Sequence, residues 1–142
     1  MSVDAGLTLN LAAQKGLRSI VDALLASRWR ACDDGWWCVP AGEDVSEWRL
    51  VQGAERTELD ALVQAKMRAG EVFGIRLFWD GADVGGEFLV FPSCEVVFSP
   101  TMDRVKLGPR TTDVSWYLSR ILPIFAGRDD VDLDSWIWRE TA

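Results

Sequence analysis

Apolar positions recur along this chain with two periods, and the periods divide it into helices and strands. Leu17, Ile20, Val21, Leu24 and Leu25 return three and four residues apart, while Gln14, Lys15, Arg18 and Asp22 take the other side. That spacing predicts an amphipathic helix from about Asn10 to Ser27 or Arg28, capped by Thr8 or Asn10 and slightly weakened by Gly16. A second helix is expected to open at Thr57, whose hydroxyl suits a cap, with Glu58 and Asp60 at the positive helix start. Leu59, Leu62, Val63 and Met67 form its stripe, and Gly70 stops it. A third starts at Thr112 or Asp113, carries Val114, Tyr117, Leu118, Ile121 and Leu122 on one side, and is broken or kinked by Pro123.

Strand signals lie between these helices. Trp36 to Val39 reads as a strand that Pro40 stops, and Trp48 to Val51 as its return across the turn Ala41–Asp44. Phe73, Ile75, Leu77 and Trp79 alternate with Val72, Gly74, Arg76 and Phe78, and Phe88 to Phe91 comes back after Asp80-Gly81 and Gly85-Gly86. Both runs are mostly apolar, which places them at the centre of a sheet. Glu95 to Phe98 is a further strand ended by Pro100, and Arg104 to Leu107 a short edge strand. Strands joined by short turns imply an antiparallel sheet, so the fold class is α+β. The expectation is one domain over residues 1–142, with about five or six strands and about three helices packed mainly on one face. Residues 128–142 read as an acidic tail containing tryptophan.

Composition narrows the chemistry. The 142 residues include eight tryptophans and no histidine, and 22 acids against 15 bases give a net charge of −7. Without histidine the commonest general base and metal ligand are missing. Lys15, Lys66 and Lys106 sit in no Ser–Lys motif. Asp80, Asp83 and Glu87 gather acids in one stretch, but the spacing of a helix-flanked calcium loop is missing, and Gly85-Gly86 lacks the Lys and Ser or Thr of a phosphate loop. No catalytic residue, metal ligand or cofactor is assigned. Cys32, Cys38 and Cys94 are expected to be reduced structural thiols. The acid excess disfavours nucleic acid and anionic membrane surfaces and favours a basic protein partner. No run of about 18 apolar residues and no basic leader is visible, so the expected compartment is the cytoplasm.

The tryptophans carry the site expectation. Trp79 and Trp116 read as core or near-core, whereas Trp29, Trp36, Trp37 and Trp48 form a cluster. Trp36 and Trp37, being adjacent, face opposite sides of their strand, so one reaches a surface or a second layer. Asp129, Asp130, Asp132 and Asp134, followed by Trp136 and Trp138, combine steering charge with anchoring rings, the composition of a binding hot spot. Glu43, Asp44 and Glu47 beside Trp48 form a second candidate patch. The competing reading of the tail is a terminal strand docking its tryptophans on the sheet.

The functional expectation is a small acidic protein-binding module, not an enzyme, acting as a monomer or homodimer. By analogy of class alone, it fits a bacterial immunity or inhibitor protein that neutralises a basic partner such as a nuclease-like toxin. Alternatives are a small-molecule or carbohydrate binder, including a carboxylate enzyme, and a secretion chaperone or assembly subunit.

Overall fold

The alternating run at residues 73–79 forms the strand its pattern predicts, inside an eight-stranded antiparallel sheet. The structure, a computed structural model, describes residues 4–52 and 56–141. The chain begins with β1 (Asp4–Ala13), α1 (Leu17–Leu25), β2 (Trp29–Arg30), β3 (Gly35–Cys38) and β4 (Arg49–Gln52). It continues with α2 (Arg56–Ala69), β5 (Phe73–Trp79), β6 (Gly85–Val90) and β7 (Glu95–Met102). It ends with β8 (Lys106–Gly108), β9 (Thr111–Thr112), α3 (Val114–Phe125) and β10 (Val131–Thr141). The sheet runs in the order β10-β1-β7-β6-β5-β3-β4 with β2 beside β5, while β8 and β9 form a ribbon of their own. The sheet therefore holds more strands than the pattern predicts.

One face of this sheet is buried. Leu7 and Leu9 of β1, Phe73, Ile75 and Leu77 of β5, Phe88 of β6 and Phe98 of β7 occupy alternate positions and point one way. They share a core cluster with Ile20 and Leu24 of α1, Leu59 and Val63 of α2, and Tyr117, Ile121 and Phe125 of α3. All three helices thus cover the same face. Trp29 sits at its centre, 1% exposed, with Trp79, Phe88, Phe98 and Trp116 at ring distances of 5.6, 5.4, 5.5 and 6.5 Å. Its indole N–H donates to the Arg120 carbonyl at 3.1 Å. The other face carries Ile137, Thr8, Val97, Leu89 and Gly74, aligned across five strands by the register.

The structure departs from expectation at identifiable places. Residues 4–13 form β1, so Thr8 and Asn10 are strand residues and cap nothing. Leu7, Leu9 and Leu11 alternate with period two, and the helix starts only after Gly16, which holds φ at 56° in the left-handed region. Helix α2 begins at Arg56, so Thr57 lies within it, and Lys66 is buried where Met67 is 38% exposed. Strand β7 runs through Pro100 because the β6–β7 register slips there, between Gly85 and Glu87, and a bulge tolerates the missing N–H. The edge strand read at Arg104 to Leu107 is instead β8, paired only with β9. Pro123 falls in the last turn of α3, which continues to Phe125. Of the clustered Trp29, Trp36, Trp37 and Trp48, Trp29 lies fully in the core. No helix among the described residues is long and apolar enough to cross a membrane.

Candidate functional site

The expected acidic tail is a strand of the sheet. β10 pairs with β1 over its length, from Asp4 opposite Thr141 to Ala13 opposite Val131, and it closes the sheet on that side. The pairing slips between Asn10 and Leu11, which face Ser135 and Leu133, leaving Asp134 as the extra residue of a bulge. A bulge re-aims its side chain, and Asp134 is exposed. Asp129 and Asp132 are exposed too. Asp130 differs: Arg128 Nε donates to its carboxylate at 3.0 Å and holds its carboxyl below the usual value. Three of the four aspartates read from the sequence therefore have no ion-pair partner among the described residues.

The two anchoring tryptophans separate. Trp138 lies opposite Leu7, on the helix side, and stacks on Tyr117 at 5.7 Å with an interplanar angle of 28°. It is a packing residue, and the docked-strand reading holds for it. Trp136 lies opposite Leu9 on the same side, yet it remains 44% exposed. Ile137 projects to the other face and is also 44% exposed. Sequence reasoning missed Ile137, although its place between two tryptophans is a period-two signal that puts it on the opposite face.

The second expected patch occupies the far end of the sheet. Six strand spacings separate β10 from β4, about 29 Å, so the two patches cannot form one compact site. Glu43, Asp44 and Glu47 are exposed in the β3–β4 connection, where Ser46 donates to Asp44 and lowers its pKa. The loop is pinned from below: Gly42 N–H donates to Glu71 at 2.9 Å, and the buried Lys66 ammonium lies 3.4 Å from both Glu71 and the Glu43 carbonyl. Trp48 turns onto the uncovered sheet face, its ring 4.6 Å from the Arg76 guanidinium, which also lies 5.4 Å from Trp37. Trp36 and Trp37 do face opposite ways, Trp36 packing against the core. Arg76 also pairs with Glu87 at 2.9 Å, so the Glu87 carboxylate is held by a cation of its own sheet face. Among the described residues no three acids or cysteines converge into a metal cage.

An open cleft of about 1180 Å³ lies near the ends of β1, β7 and β10, mixing Glu87 and Glu140 with Arg104, Lys106 and Arg139. Each glutamate has its own donor, Arg76 for Glu87 and the Thr112 N–H, at 3.0 Å, for Glu140. Burial opposes the charge on Glu140, but the Thr112 N–H bond and the nearby Arg104 charge help to outweigh it and keep its pKa low. All three cysteines are free thiols, and burial pushes Cys38 up to about 12, which leaves it unreactive. Comparison with known proteins finds no matching family model, no similar curated protein and no similar solved structure.

Proposed function

We propose that this chain is a protein-binding module of the immunity or inhibitor type, which neutralises a basic protein, such as a nuclease-like toxin domain, by covering it with β10. The observation that carries this reading is the boundary strand itself, where Asp132 and Asp134 stand exposed with Trp136 and Ile137, and Asp129 stands exposed just before it. Carboxylates raise the encounter rate with a cationic surface, and a desolvated indole supplies short-range affinity. A body of net charge −7 extends the attraction over the whole approach. In this reading the chain acts in the cytoplasm as a monomer or homodimer. A small-molecule site in the open cleft has less support, because Glu87 and Glu140 are each engaged by a donor.

The test is to capture the partner from the native source on immobilised chain, then measure its affinity and activity. The combined Asp129→Asn, Asp132→Asn and Asp134→Asn variant is expected to bind about tenfold or more weakly, and to release the partner's inhibited activity. An acidic partner, or an affinity untouched by the three substitutions, contradicts the reading.

A further inference from the structure

The ladder between β1 and its two neighbours shows which backbone groups of β10 are spent. Leu11 N–H donates to the Cys94 carbonyl at 3.3 Å, toward β7, whereas Gln14 N–H donates to the Asp130 carbonyl at 2.9 Å, toward β10. Backbone groups alternate sides along a strand, so the odd residues of β1 face β7 and the even ones face β10. Gly6, Thr8 and Asn10 therefore hold Arg139, Ile137 and Ser135 by their backbones. Trp136, Trp138 and Glu140 are left with N–H and C=O directed away from the sheet. No strand lies beyond β10 among the described residues. These groups repeat about 6.8 Å apart, the spacing of a strand template.

We infer that the partner docks by strand addition: an extended basic segment pairs with the outer edge of β10 through Trp136, Trp138 and Glu140. This rests on the protein-binding reading above and specifies how the contact is made. The incoming strand finds an apolar side chain on each face of the edge, Trp136 on the helix side and Ile137 on the other, both 44% exposed. Alternating side chains on the added strand pack against both. Lys or Arg residues reach Asp132 and Asp134 where the bulge turns the edge toward solvent. Charge selects this occupant over a second copy of the chain, because two β10 edges would bring like carboxylates together on two bodies of −7 each.

Amide hydrogen exchange of the intact chain with a peptide of about ten residues alternating lysine and valine tests the inference. The expected result is slowed exchange at the amides of Trp136, Trp138 and Glu140, with no binding of the matching glutamate–valine peptide. Two variants separate backbone from side chain. Trp136→Ala removes the indole, and Trp136→Pro removes the indole and the outward N–H while sparing the bonds to β1. The proline variant is expected to bind the lysine–valine peptide about tenfold more weakly than the alanine variant. Equal affinities, protection confined to other amides, or no peptide binding overturns strand addition. If a captured basic protein still senses the aspartate substitutions, only the mode of docking fails and the broader reading stands. Dimerisation with protection of β10 in the absence of peptide replaces the basic segment with a second copy. Should the proline variant unfold, the exchange pattern of the unaltered chain decides.

Discussion

Trp29 illustrates what a single residue's neighbours in sequence cannot reveal. It stands between Arg28 and Arg30 in a two-residue strand, with no local period to mark it as buried. Its burial is set by Trp79, Phe88, Phe98 and Trp116, all 50 or more positions away. Trp29→Ala is expected to cost about 3–5 kcal/mol, read as a lower urea midpoint. Gly86 is constrained by space, since an added Cβ would run into the Ser99 carbonyl and the Phe98 ring. Gly86→Ala is expected to destabilise by about 1–3 kcal/mol on the same measurement. Lys66 is fully buried beneath the β3–β4 loop, although a lysine is rarely buried unless it is paired. The Gly42 N–H and the Lys66 ammonium hold the Glu71 carboxyl below its usual 4.5. A depressed folded value adds stability above that pH and loses it as pH falls through the lowered value. Burial opposes the charge of Asp60, but Arg56 and Arg18 outweigh it, so its contribution is lost in the same direction from 3.8 downward. Stability is thus expected to fall on acidification below about pH 4.5. Glu71→Gln should lower the urea midpoint at neutral pH and make its decline in acid shallower.

At the level of elements, legibility followed the length and purity of the pattern. In β5, Phe73, Ile75, Leu77 and Trp79 fall at every second position of a mostly apolar run, and the hairpin of β3 and β4 is bracketed by turn formers. The start of α3 was readable because Asp113 caps it, accepting from the Trp116 N–H at 3.2 Å. β1 was not: its alternation from Leu7 to Leu11 runs into two alanines and then a strongly periodic helix, and the longer period masked the shorter. The role of β10 was half legible. Its acids and its Trp-Ile-Trp alternation are local, but the pairing with β1 joins residues 118 or more positions apart. Because β10 completes β1's ladder and covers Tyr117 with Trp138, removing residues 131–142 is expected to abolish cooperative unfolding. Circular dichroism through a urea titration checks this; a dispensable appendage would leave the transition intact.

For the whole molecule, helices on one face leave the other face and the two sheet boundaries for contact. A typical binding surface covers about 800 Å² on each partner, a disc about 32 Å across, so a footprint centred on β10 reaches about 16 Å and stops short of the β3–β4 patch about 29 Å away. Neutralising Glu43, Asp44 and Glu47 together is therefore expected to change a captured partner's affinity by less than about twofold. Titration calorimetry of that variant beside the β10 variant ranks the two ends. The central claim, that the acidic β10 boundary draws in a basic protein, is tested most directly by the association rate of that protein as salt is raised. For the unaltered chain the rate is expected to fall steeply with ionic strength, and for the Asp129→Asn, Asp132→Asn, Asp134→Asn variant to start lower and fall less. Two superimposable salt profiles would contradict the account.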